Sequence, residues 1–283
     1  MVNRNCRCPY VICKIHGNCM ACIEKSRKDC EMVNCMEEIA EKLGAKFPLR
    51  LPKTVVCDDY EEMSRWIANQ LVDVVNDKPE ALICVTADMR AVRTYEILKE
   101  MADTQKVSFD KAHFISLYEW IDAGSETNGC NAFLEQYLYQ PLNIHKSQVI
   151  SFKKHTDDIE EMCKRTDEVI RQKGGIDFLL MEVGDRGEIG LNLPGEDFDC
   201  YTKLVKINWD GQAEKSGITL GIRHLFDSKK VILYASGKDK ADMISEIFLS
   251  RPKEELPATV IKLLSGAVAV FDQEAASKVR DMI

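Results

Sequence analysis

From residue 54 to the end of the chain, short apolar runs of strand character alternate with stretches of helical periodicity, and no other feature restricts the fold as much. Residues 54–57 and 81–86 read as strands. Between them, residues 60–75 carry Met63, Ile67, Leu71 and Val74 on one helical face. Further strands are expected at 112–117, 148–152, 176–183, 203–208, 230–235 and 267–271. Helices are expected at 91–101, 131–139, 157–172, 216–226, 238–249, 259–264 and from 273. Strands separated by helices of this length need crossover connections, so the expected class is α/β, a mainly parallel sheet flanked by helices. Ligands on such sheets bind beyond the carboxyl ends of the strands, where strand order reverses. That points to the loops at 86–90, 117–124 and 184–195.

The first 45 residues differ in kind. Seven of the twelve cysteines fall within residues 1–35, and the other five are scattered through apolar or helical contexts. Clustered thiols in an intracellular chain are more often metal ligands than disulfides. The spacing of Cys6, Cys8, Cys13, His16, Cys19 and Cys22 suits tetrahedral zinc; an iron–sulfur cluster on four thiolates is the alternative. A metal would act here as a folding clip, because so small a segment lacks a core of its own. Residues 46–53, with Pro48 and Pro52, break periodicity and read as a linker. The expected organisation is a cysteine-rich module at 1–45, a linker at 46–53 and one large α/β domain at 54–283, with no cofactor in the large domain.

Charge narrows the partners. The net charge is −8, but residues 1–55 hold ten Lys/Arg against six Asp/Glu, while the remainder holds 28 against 40. A surplus of four positive charges is too weak to argue for nucleic acid, and the acidic body disfavours polyanions in general. The polar N-terminus lacks the apolar core of a secretory signal, and no apolar run approaches the ~20 residues of a spanning helix. A cytoplasmic protein without a membrane association is expected.

The segment DFLLMEVGDRGEIGLNLPG, residues 177–195, resembles the active-site loop of glucosamine-6-phosphate deaminases, D-x-x-x-x-G-x-G-x-D-G-H-I-A-F-N-E-P. Gly184, Gly187, Ile189, Asn192 and Pro194 match. Residues 55–68, 106–120 and 215–241 are similar to other family segments in the same order. The chain after the linker is thus identified as a member of the glucosamine-6-phosphate deaminase/6-phosphogluconolactonase superfamily, which implies a Rossmann-like architecture and a phosphorylated sugar or similar small anion as ligand. Because family members often form oligomers, a homo-oligomer is left open.

The resemblance also shows what has changed. Deamination or isomerisation of a sugar phosphate needs a base beside the carbon that loses its proton, an acid/base for ring opening and a grip on phosphate. The family's base, the Asp of D-E-Y, corresponds to Tyr118, with Glu119 retained beside it. The loop Asp, His and Glu correspond to Arg186, Glu188 and Leu193. Tyrosine titrates near pH ~10 and leucine moves no protons. The lactonase branch relies on the same His. The phosphate-cradling P-T-G-G-T-P turn corresponds to VTADMRAV, in which both glycines are gone and Asp88 would repel phosphate.

Thr86, Arg90 and Arg93 nevertheless lie at this strand-to-helix junction, where a helix N-terminus favours anions. Lys215 matches the family's phosphate-binding Lys, and Lys203 roughly replaces an arginine. The expected ligand set is Thr86, Arg90, Gly184, Arg186, Gly187, Asn192, Lys203 and Lys215. The expectation is a sugar-phosphate-binding protein with a degenerate catalytic site and a sensing or regulatory role. The alternative is an active isomerase, deaminase or lactonase in which Glu188 or Glu119 serves as base.

Overall fold

The computed structural model describes residues 51–121, 129–152, 158–208 and 215–283, together with Cys22. Apart from Cys22, the cysteine-rich module and its expected ligands Cys6, Cys8, Cys13, His16 and Cys19 lie outside the described residues, as does the start of the linker.

Seven strands form one parallel sheet: β1 (Thr54–Cys57), β2 (Leu82–Val85), β3 (His113–Ser116), β5 (Val149–Ile150), β6 (Phe178–Glu182), β9 (Val231–Ala235) and β10 (Ala267–Asp272), in the order β1-β10-β9-β6-β2-β3-β5. Its central strands read as continuous apolar runs because helices cover both faces. Successive side chains point to opposite faces, so each strand feeds two cores. Cys84, Leu179, Met181 and Leu233 pack on one side, against Cys163 and Ile170 of α4 (Ile159–Gln172), Leu225 of α5 (Ile222–Asp227) and Ile247 of α6 (Ala241–Leu249). Ile83, Phe178, Leu180 and Ile232 pack on the other, against α1 (Tyr60–Asp77), α2 (Val92–Asp103) and the residues after α3 (Cys130–Leu134).

Helix α1 illustrates the local logic. Asp59 caps it by accepting from Glu62 N, and Met63, Ile67, Leu71 and Val75 form the buried stripe. Each such side chain contributes roughly 1.5–3 kcal/mol by leaving water. Among the described residues no helix is long and apolar enough to cross a membrane.

A second, antiparallel sheet of three strands stands beside the first: β4 (Tyr118–Trp120), β8 (Lys215–Thr219) and β7 (Lys203–Ile207), in the order β4-β8-β7. It corrects the helix expected at 216–226. Gly217, Ile218 and Thr219 are poor helix formers, the segment pairs with β4 and β7, and extended Gly221 (φ −73°, ψ 167°) delays the helix to Ile222. The helix expected from 273 is corrected too. Asp272 Oδ1 accepts from Ala275 N, turns follow, and only Arg280–Met282 forms a 3₁₀ turn. The strand β4 had no counterpart among the expected elements.

Candidate functional site

The chain leaves β2 outward to β3 and β5, then returns to the other side of β2 as β6 and continues to β9 and β10. Strand order therefore reverses between β2 and β6, the place where open α/β sheets leave a crevice at their carboxyl edge. These strands register at Ile83↔Phe178 and Cys84↔Leu179. Beyond that ladder two side chains meet across the tips: the Thr86 hydroxyl hydrogen-bonds Glu182 Oε2. Glu182 extends the apolar row Phe178, Leu180 and is the register partner of Tyr234 on β9.

Burial first, and then the negative charge of Asp88, raise the Glu182 carboxyl to about 7; the Thr86 hydrogen bond and the Lys240 ammonium oppose the shift. Other polar groups converge here. Tyr95 donates to Thr86 O at 2.6 Å, and Tyr234 donates to Asp88 Oδ2 at 3.0 Å. Burial and the nearby Glu182 raise the half-buried Tyr118 phenol. Asp177, at the opposite end of β6, forms a contrast. Burial alone would raise it, but Lys229, Lys78 and Leu82 N–H hold it below the usual carboxylate range. The acid just before β6 is thus held as an ion, while the one at its far end is poised between its two forms near neutrality.

The expected site residues divide into three groups. Thr86 and Arg90 sit with Glu182 at the switch point. Arg90 is engaged there, its Nε to Ser236 O at 3.2 Å and its Nη2 to Asp239 at 2.6 Å. Arg93, by contrast, is held by Glu61, Glu96 and Glu100.

Gly184, Arg186, Gly187, Glu188 and Asn192 share one loop. Glu188 folds back over Gly184, so closely that a β-carbon there would overlap the carboxyl, and Glu188 Oε2 accepts from Arg186 N at 2.8 Å. Gly187, at φ 74°, lies in the left-handed region that favours glycine. Asn192 Nδ2 donates to Ile189 O and Leu220 O, both at 2.9 Å, which pins the loop to β8's end.

Lys203 and Lys215 are separated. They occupy opposite ends of the β7–β8 ladder, pairing with Thr219 and Ile207 respectively, roughly 13 Å apart at strand spacing. Lys203 bonds Glu196 at 2.6 Å, and Lys215 Nζ lies 5.8 Å above the Trp120 ring. Glu119 is wholly buried and accepts from Trp120 N, Cys130 N and Asn131 N at 2.9, 2.8 and 2.7 Å. Its carboxylate caps the start of α3 from a distance.

The sequence model of the family described as glucosamine-6-phosphate isomerases/6-phosphogluconolactonase matches residues 58–270. The chain belongs to that family. Glucosamine-6-phosphate deaminase 1 of Bacillus subtilis (strain 168) is 27% identical over 238 residues, covering 80% of this chain and 98% of the relative. A solved monomeric glucosamine-6-phosphate deaminase, also 27% identical, superimposes with a TM-score of 0.74 over 80% of this chain and 99% of its own. The 6-phosphogluconolactonase from Plasmodium vivax shares the fold at a TM-score of 0.70, with 13% identity, covering 87% of this chain and 100% of its own.

Within the family loop pattern, the first glycine falls on Glu182. That replacement, together with a charged residue inside a run otherwise as apolar as FLLMEV, is the signal by which sequence reasoning could have found Glu182. The contact of Tyr234 with Asp88 spans 146 residues and leaves no local trace.

Proposed function

We propose that the chain binds a phosphorylated sugar at the carboxyl edge of its large sheet, lacks the deamination relay of its relatives, and acts as a sensor or regulator of sugar-phosphate metabolism. Family membership supports the ligand class. The observation that carries the loss of deamination is the state of the loop: Glu188 is clipped to Arg186 N, and Leu193 packs toward Leu191, Val205 and Ile207. Neither side chain is placed to relay a proton to a leaving amine.

Saturating glucosamine 6-phosphate is expected to raise the melting temperature, because ligand at ~100 times its Kd stabilises by ~2.7 kcal/mol. Ammonia release should stay at the buffer level. Turnover to ammonia would sink the loss of deamination. A thermal-shift screen in which no sugar phosphate stabilises the protein would sink the ligand assignment.

For residues 1–45 we propose a zinc-held module. Metal analysis of the purified full chain should find one or two zinc equivalents; iron with acid-labile sulfide would assign a cluster instead, and metal-free protein would remove both. A second functional reading, an enzyme with altered catalytic residues, is favoured by Glu182.

A further inference from the structure

A group that takes a proton from carbon must face the ligand crevice and must exist in both protonation states near neutrality. Most of the described carboxylates around the strand-order reversal are committed to other partners. Asp88 caps residues 89–91 and takes the Tyr234 hydroxyl. Glu119 holds three backbone N–H groups. Asp185 pairs with Lys240 and Asp239 with Arg90. Glu188 is tied to Arg186 N. Asp272 accepts from Gly237 N, Ala275 N and the Ser236 hydroxyl.

Besides its own N–H, Glu182 meets a neutral hydroxyl, that of Thr86, across the strand tips. A hydroxyl donates to a carboxylate and can accept from a carboxylic acid, so this contact survives a change of charge. Thr86 is itself positioned by Tyr95, whose hydroxyl donates to its carbonyl. Glu182 is half-buried at the strand-order reversal, where a ligand can reach it.

We propose that Glu182 is the acid/base of this crevice, moving a proton between adjacent carbons of an open-chain phosphorylated sugar. This rests on the reading that a phosphorylated sugar binds at this edge. The carboxylate takes the proton from the carbon beside the carbonyl. The C–H electron pair becomes the second bond of an enediol as the carbonyl oxygen gains a proton. The neighbouring hydroxyl then gives up its proton to become the new carbonyl, and Glu182 returns its proton to the former carbonyl carbon. Aldose becomes ketose, or the reverse, with no oxidant, reductant or water consumed.

The groups around Glu182 set its proton affinity. Burial and the charge of Asp88 disfavour the ionised form, and the Thr86 hydroxyl, the residue's own N–H and Lys240 favour it; Glu182 in turn keeps the neighbouring Tyr118, Tyr234 and Cys84 neutral. The resulting value near 7 is where a general base is both available and effective.

The test uses the full chain with fructose 6-phosphate in D2O, followed by NMR, with thermal shift by the same sugar measured in parallel. Deuterium should enter carbon 1 of fructose 6-phosphate and carbon 2 of the glucose 6-phosphate formed, at a rate rising with pH through about 7. Glu182→Gln should slow exchange about 100-fold or more while keeping the thermal shift. Glu182→Asp, which retains a carboxylate on a shorter arm, should recover part of the rate with a displaced pH midpoint. It also serves as the second variant if Glu182→Gln does not fold. Exchange that survives Glu182→Gln overturns the proposal. A thermal shift without exchange in the unmodified chain overturns it too, and leaves sugar-phosphate binding standing. Absence of both overturns binding and proposal together.

Discussion

Glu119→Ala should lower stability by roughly 3 kcal/mol even with no ligand present, because buried backbone donors left without an acceptor cost about 1–3 kcal/mol each. Three such donors converge on this carboxylate, and two are the first amides of α3. Gly129, at the cap position of that helix, offers no side chain, so Glu119 supplies from β4 what a local Ser or Asp would normally provide. Glu119→Gln should cost less. One oxygen remains as acceptor, while the new NH₂ faces an N–H. Urea denaturation measures both. An alanine variant of unchanged midpoint that loses a sugar-phosphate response would instead assign Glu119 to the ligand.

Glu182→Gln should do the opposite above neutrality. The folded value near 7 lies above the ordinary 4.5 of glutamate. The protonated carboxyl therefore contributes stability that is fully present below about 4.5 and lost as pH rises to about 7, after which the deficit is constant. Glutamine keeps a neutral partner for Thr86 at every pH. The variant should match the natural chain near pH 4.5 and exceed it by about 3 kcal/mol at pH 8, given ~1.4 kcal/mol for each tenfold change in proton affinity. Denaturation midpoints at pH 4.5, 6 and 8 measure the divergence. Parallel curves would mean that Glu182 titrates as an ordinary exposed glutamate. A gain in stability paired with a loss of chemistry is the usual signature of a strained working site.

Much of the scaffold was readable in the sequence, because the parallel sheet and its helices obey local periodicity. The stripe of Met63, Ile67 and Leu71 announces α1, and the run at 82–85 announces a doubly covered strand. Of the second sheet only β7 was readable, as the strand expected at 203–208. β8 places Gly217 beside Ser216 and a single apolar residue, Ile218, and its partner β4 lies almost a hundred residues away in the chain, so pairing with β4 and β7 makes it a strand.

The site was legible as a place but not as an arrangement. The loops at 86–90 and 184–195 flank the crevice as the strand pattern implied. What each charged side chain does there depends on partners distant in sequence: Arg90 on Asp239, Lys203 away from Lys215, and Glu119 on the amides of α3. Residue type and spacing gave candidates for base and anion grip, whereas the division between holding and reacting groups emerged only in three dimensions.

The β2–β6 ladder stops short of the strand tips, and the remaining distance is bridged by Thr86 and Glu182. Main-chain pairing between these two strands, which a mutation can hardly alter, therefore ends before the chemistry begins. Residues at those tips are exchangeable parts on a fixed mount: swapping them edits proton affinity and ligand preference while every rung of the ladder stays in place. A lineage can pass through inactive or repurposed forms there without first losing its ability to fold.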